Sequence, residues 1–468
     1  MSLLICFFVL HSAGEVAGVL TGGSNVSRPL PVQSLCAQLI QPSGYPCSEH
    51  AVQTKDGYLL ALQRVSSPTV NLGSQPGPPV LLLHELGGIH FFPFCLYFIL
   101  CKHESIDGKD FLNCFIGALL ALESTGLVLL AGDAWFLDNT EQSLGFILAD
   151  HGFDVWVGNV RGTRWSHGHV TLSEKNKHPD LMRKDRLLPF HPHQEFWDWS
   201  WQELALYDLA EMIHYIYTMT NTKTFVVGHS QGTIMALAAF TQPEIVEMVE
   251  AAALLCPISY LEHVSAQFVL RMVNMHLDQM ILAMGIHQLN FRSNVGVYLL
   301  NSVCEGHFDC NDLLSSITGE NCCFNNSRID YYLGYEPHPS SSKNLHHLFQ
   351  TFCLAVIRAG TFAKYDYGIW RNLKHYGQVN PPRFDLNSIP KSLPIWMGYG
   401  GSDALADLTD FNHTLTELPS EPELLYLENY GHIDFLLSVN AKDDVYDDMI
   451  RFFRSRGKSS CSAGLCNV

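Results

Sequence analysis

Apolar residues in this chain gather in short dense runs bounded by turn residues, with longer stretches of helical periodicity between several of them. Runs near 57–64, 79–84, 153–157, 224–228, 251–255, 393–398 and 423–427 predict strands. Helices are predicted over Glu141 to Asp150, Ser200 to Met219 and Asp444 to Phe453. The second opens with Ser200-Trp201-Gln202-Glu203, the pattern of a capping box with Ser200 as N-cap and Glu203 three residues on. Strands alternating with helices predict an α/β fold with a mostly parallel sheet flanked by helices. The alternation breaks between about 257 and 390, where the chain is helical in pattern and rich in Cys and Asn. That stretch predicts an inserted helical cap or lid, leaving 34–256 and 391–455 as the sheet core and 456–468 as a tail.

One strand prediction carries chemistry. The β-branched run Thr224-Phe225-Val226-Val227 leads directly into Gly228-His229-Ser230-Gln231-Gly232, and an apolar helical pattern follows from Thr233 to Phe240. A serine at a sharp strand-to-helix turn has its hydroxyl held out, and flanking glycines admit the close backbone approach. The following helix offers N–H groups and a positive dipole end to an oxyanion. A bare G-x-S-x-G arises by chance in a chain this long about one time in six. Its strand and helix context makes it a nucleophile elbow.

Composition narrows the setting. The 468 residues are 47% hydrophobic and 16% charged, which suits a large globular core. A formal net charge of −18 argues against a nucleic-acid partner. Protonating all 23 histidines would reverse that sign, which suits an acidic compartment. Residues 1–19 carry an apolar run, Leu3 to Leu10, followed by small residues, the pattern of a signal peptide. Sequons at Asn25, Asn325 and Asn412 are glycosylation candidates in a secreted glycoprotein. Fourteen cysteines include the local groups Cys36/Cys47, Cys304/Cys310/Cys322/Cys323 and Cys461/Cys466, all candidates for disulfides. None has zinc-site spacing, and no apolar run reaches the length of a membrane span.

Further motifs appear in a fixed order: Gly44-Tyr45-Pro46, Thr54-Lys55-Asp56-Gly57-Tyr58, Ala131-Gly132-Asp133-Ala134-Trp135 and Asp154 through Gly162. The elbow follows, then Gly400-Gly401-Ser402-Asp403 and Tyr430-Gly431-His432-Ile433-Asp434-Phe435. In these residues, spread over most of 34–455, the chain resembles the acid lipases of the α/β-hydrolase fold. That group includes lysosomal acid lipase, gastric lipase and, closest in these motifs, the plant triacylglycerol lipases. The resemblance implies Ser230 as nucleophile, His432 as general base and Asp403 as the acid that orients the imidazole. The chain order Ser, Asp, His is the one this fold uses. Asp407 and Asp410 are rival acids nearby. The Gln231 N–H is implied as one oxyanion donor and Leu127 as the second.

Two stretches, about 85–125 and 178–193, fall outside the family pattern and predict looped-out insertions. The first interrupts the oxyanion loop and sets Glu85 where the family has glycine. The implied activity is serine ester hydrolysis of acylglycerols or other neutral lipids at a lipid–water interface, with no cofactor or metal. The implied setting is the secretory pathway, outside the cell or in an acidic lysosome- or vacuole-type compartment. An esterase for sterol or small esters, and a lipid-binding protein of the same fold with impaired catalysis, remain as alternatives. The cluster Met272, Met275, Met280 and Met284 reads equally well as acyl-chain surface or as ordinary packing.

Overall fold

The apolar runs become the middle of one sheet. In the computed structural model the described residues are 34–70, 76–85, 132–175, 192–289 apart from 275, 315–335, 338–350 and 361–456. The strands are β1 (Cys47–Gln53), β2 (Tyr58–Val65), β3 (Pro79–Glu85), β4 (Asp154–Asn159), β5 (Gly168–His169), β6 (Thr224–Ser230), β7 (Val249–Leu255), β8 (Gln288–Leu289), β9 (Ser340–Ser341), β10 (Ile395–Gly400) and β11 (Glu423–Leu427). The main sheet runs β1-β2-β4-β3-β6-β7-β10-β11, with β5 added to β2. Every neighbour pair from β4 to β11 is parallel. The β1 end is antiparallel. β4 and β6 are buried at every residue, as strands covered on both faces must be.

All seven strands read from the patterning form, within two residues at either end. The patterning misses β1. Val52 is its one buried residue, because an edge strand packs little and so leaves little apolar signal. Pairing with β2 over seven residues fixes it instead. The helical run Trp201–Glu203, Leu204–Leu209 and Ala210–Thr220 starts at the expected capping box, where the Ser200 N–H donates to Glu203 Oε2 at 2.7 Å. The helix expected from Glu141 begins later, as Leu144–Asp150. Asn139 Oδ1 accepts the Glu141 N–H at 2.9 Å and holds a turn there.

Two motifs of the family pattern meet in the core. Arg161, fully buried, pairs with Asp208 at 2.6 Å and with Asp56 at 2.5 Å, and its guanidinium lies 3.8 Å from the centre of the Tyr58 ring. The Asp-Gly-Tyr turn is thereby tied to the loop after β4. A buried cation with two carboxylates and a ring around it is structural, and removing one partner would strand the charge.

Between β7 and β10 lie the helices Gln267–Asn274, Leu277–Ala283, Ile329–Tyr335, Ser342–Gln350 and Ile369–Tyr376, with β8 and β9 paired antiparallel. Met272 is buried, whereas Met280 and Met284 are exposed, so the methionines divide between packing and surface. Cys36 is bonded to Cys47 and Cys322 to Cys323, while Cys256 is a buried thiol. Residues 1–19, Asn25, most of 85–125 and of 178–193, Leu127, Met275, Cys304, Cys310, Cys461, Cys466 and the tail beyond Arg456 lie outside the described residues.

His347 sits at the centre of an aromatic nest. Its ring stacks on Trp201 at 4.4 Å, its Nδ1 lies 2.9 Å from Ser200 Oγ, and its Nε2 donates to the Ala363 carbonyl at 3.1 Å. Burial drives its pKa down to about 3, against the opposing pull of the Ala363 carbonyl. The unfolded value is about 6.5, so below that pH the unfolded chain binds a proton the folded one refuses, and stability falls with pH. His347→Gln does not titrate. Between pH 7 and 4.5 the wild type should lose roughly 3 kcal/mol more unfolding free energy than this variant. Denaturant melts at both pH values measure it, and equal losses would show that His347 takes its proton without penalty.

Candidate active site

β6 ends on Ser230, whose φ of +54° and ψ of −119° are forbidden to most residues, and the helix Gln231–Phe240 starts at the next residue. The reversal is tight enough that a Cβ on Gly228 would stand 2.9 Å from the Gly232 carbonyl carbon. One on Gly232 would stand 2.6 Å from the Leu83 carbonyl oxygen of β3. No side chain fits at either position. Thr233 Oγ1 donates to the Ser230 carbonyl at 2.6 Å and accepts the Ile258 N–H at 2.8 Å, which ties the elbow to the loop after β7.

Three residues far apart in sequence form a hydrogen-bonded line. The Ser230 hydroxyl donates to His432 Nε2 at 2.8 Å, and His432 Nδ1 donates to Asp403 Oδ2 at 2.7 Å. All three are buried. Asp403 follows β10, His432 follows β11 and Ser230 ends β6, so each is carried at the carboxyl end of a parallel strand. Burial alone would raise the Asp403 pKa. His432 and the backbone N–H groups of Ala406 and Leu405, each 2.8 Å from Oδ1, reverse that and hold it below the usual carboxylate value. The rival acids have other partners. Asp407 caps the helix Leu408–Glu417 through the Thr409 N–H, and Asp410 bonds the His263 ring and backbone N–H, each at 2.8 Å.

The segment Ser315–Phe324 is the part of the site that sequence reasoning missed. The Thr318 carbonyl accepts the His432 N–H at 2.9 Å, and Gly319 bridges to Asp403. A Cβ on Gly319 would lie 1.8 Å from the Ser402 carbonyl oxygen, and one on Gly431 would lie 2.7 Å from that of Glu320. Asp434, two residues past the histidine, accepts the Cys322 N–H at 2.9 Å and the Gly431 N–H at 2.8 Å. One strap therefore holds the turn bearing the acid and the turn bearing the imidazole. Its sequence signal is Gly319-Glu320-Asn321-Cys322-Cys323, which says nothing about its partners.

Gln231 is buried at the start of the helix, and its Oε1 accepts from Asn344 of the helix Ser342–Gln350 at 3.1 Å, a contact with no local signal. His229 Nε2 donates to the His432 carbonyl at 2.9 Å, and burial holds its pKa down to about 3. Ligand atoms of His229, Cys256 and His432 lie within 4.8 Å of one another. These atoms have other partners: Cys256 Sγ donates to the His432 carbonyl at 3.3 Å, and the two ring nitrogens of His432 face Ser230 and Asp403. Asn412 is exposed, and Asn325 is half-buried in a local turn with Ser327. Among the described residues no helix is long and apolar enough to cross a membrane.

Comparison with known proteins agrees with this architecture. Residues 36–89 match the partial alpha/beta-hydrolase lipase region and residues 137–287 the alpha/beta hydrolase fold. The chain is 58% identical over 437 residues to triacylglycerol lipase 1 of Arabidopsis thaliana, covering 93% of this chain and 94% of that protein. Triacylglycerol lipase 2 of the same plant is 33% identical, with coverages of 97% and 96%. Human gastric triacylglycerol lipase is 30% identical over 88% of this chain and 89% of its own length. With relatives of this likeness matched along nearly their whole length, the chain belongs to the lipase family of α/β hydrolases.

Proposed function

We propose that this protein is a serine ester hydrolase of neutral lipids, acylglycerols foremost, working at a lipid–water interface. The hydrogen-bonded line from Ser230 through His432 to Asp403 carries the reading, and the triacylglycerol lipases among its relatives support the substrate class. Ser230 attacks the ester carbonyl while His432 takes its proton, giving a tetrahedral oxyanion. His432 then returns the proton to the departing alcohol, and the acyl-enzyme is hydrolysed by the same steps with water as nucleophile. Asp403 keeps the imidazole aligned and stabilises its charged form. The Gln231 N–H, at the positive end of its helix, serves the oxyanion, with Leu127 as second donor by resemblance to the family. The Cys36–Cys47 disulfide supports an oxidising setting, in the secretory pathway or an acidic compartment beyond it, where Asn412 would be accessible to glycosylation.

Four substitutions test the assignment. Ser230→Ala should cut hydrolysis of a short-chain ester by at least about 10⁴-fold and abolish labelling by a serine-directed phosphonate, with the fold intact. Substantial activity in this variant would remove Ser230 from the chemistry. Asp403→Asn should lower kcat by about 10⁴-fold, while Asp407→Asn and Asp410→Asn stay within about tenfold of wild type. A larger loss from either neighbour would move the acid's role to it.

Gly319→Ala addresses the strap. The added methyl must displace the backbone beside Asp403, so kcat should drop by about tenfold or more while KM stays near the wild-type value, because geometry set for the transition state is lost and ground-state binding is not. Unchanged kcat in a folded variant would show that the strap does not set the relay.

A further inference from the structure

The helix Ile369–Tyr376 is built inside out. Its one buried residue is the polar Asn372, whereas Ile369, Trp370 and Leu373 are 60%, 84% and 41% exposed. Hydrogen bonds fix this orientation. Asn372 Oδ1 accepts the Tyr367 N–H at 2.9 Å, and its Nδ2 donates to Asp366 Oδ1 and to the Val379 carbonyl, each at 2.9 Å. The Gly368 N–H donates to the same Asp366 oxygen at 2.6 Å, and Tyr367, which accepts from Lys343 Nζ at 3.0 Å, stacks on His375 at 4.2 Å. With the polar residue held inward, the apolar edge faces out.

Val379, a few residues beyond the helix, is exposed as well. Single exposed apolar residues need no explanation, but four within one short stretch, a tryptophan among them, form a patch. Its charge is distinctive too. From Gly368 to Phe384 the charged side chains are Arg371, Lys374 and Arg383, with no carboxylate, in a chain whose net charge is −18. Arg371 and Lys374 are exposed on the helix itself. An outward apolar edge with tryptophan and flanking cations is the composition of a helix lying in a lipid interface.

We propose that Ile369, Trp370, Leu373 and Val379, flanked by Arg371 and Lys374, form the surface by which this protein docks on a lipid–water interface bearing anionic phospholipid headgroups. The apolar side chains enter the acyl boundary, and the two cations meet the phosphates. The proposal deepens, and rests on, the lipid substrate inferred above. None of these residues touches the Ser230–His432–Asp403 line, so docking and ester chemistry separate experimentally.

The test measures co-sedimentation with phosphatidylcholine vesicles, with and without phosphatidylglycerol, beside turnover of a water-soluble short-chain ester. The combined Ile369→Ser, Trp370→Ser and Leu373→Ser variant should bind both vesicles at least about tenfold more weakly. Combined Arg371→Glu and Lys374→Glu should abolish the preference for phosphatidylglycerol and keep the binding to phosphatidylcholine. Soluble-ester turnover should stay within about twofold of wild type in both. Undiminished vesicle binding by the serine variant would overturn the proposal. So would a wild-type dimer that the variant turns into a monomer with vesicle binding intact, since the face would then meet a second copy. A parallel fall in soluble-ester turnover, shared by Trp370→Ser alone, would overturn it as well by making the face part of the fold. A wild type that binds vesicles without hydrolysing any acylglycerol would remove the lipase reading and leave the docking surface standing.

Discussion

The close approach of the helix Gln231–Phe240 to the sheet is the constraint on which the site depends. The helix has to leave β6 within a single residue and pass over the Leu83 carbonyl of β3, so there is no room for a Cβ at Gly232. Ser230 takes up the resulting strain in its backbone, at a cost of about 1–3 kcal/mol. A buried parallel sheet is stiff enough to impose that strain and keep it. The consequence is chemical. The hydroxyl stands at the strand's carboxyl end, where the helix begins, which is the placement that the proposed acyl transfer needs before a reaction starts.

That fixed hydroxyl is met by an imidazole on the loop after β11, held in turn by an acid on the loop after β10. The strap Ser315–Phe324 supplies a further restraint, taking the His432 N–H on Thr318 and abutting Asp403 at Gly319. The strap comes from the region between β7 and β10, so that region meets both the loop bearing Asp403 and the loop bearing His432. The same region reaches the elbow a second time, through the side-chain hydrogen bond from Asn344 to Gln231.

Legibility followed the range of the interactions. The central strands and the elbow were readable because each writes its environment into consecutive residues: burial on both faces demands an unbroken apolar run, and the tight turn demands glycines. The Ser200 capping box was readable for the same reason, its two partners being three residues apart. Asp403 was not separable from Asp407 and Asp410 by local chemistry, since all three sit in turn-like sequence. Resemblance to the family chose it, and the 2.7 Å contact with His432 is what distinguishes it physically. The strap and Asn344 were illegible because their partners lie far away in sequence, and β1 because an edge strand with a single buried residue leaves little apolar signal. The second oxyanion donor expected at Leu127 lies outside the described residues.

The two places where this chain departs from the usual rules of burial point to the two demands on a lipid hydrolase. At the elbow it encloses a polar relay, with histidines so deeply packed that His229 is held neutral to about pH 3, because a water-excluded site strengthens every dipole aimed at the oxyanion. At the helix Ile369–Tyr376 it does the reverse, spending its buried face on Asn372 and leaving a tryptophan in water. On the proposed reading, the first arrangement serves charge that develops on a substrate, and the second serves an apolar phase that meets the helix from outside. An enzyme whose substrate dissolves in water has use for the first alone. Finding both in one chain is what favours, in that reading, a substrate presented at a surface over a small soluble ester.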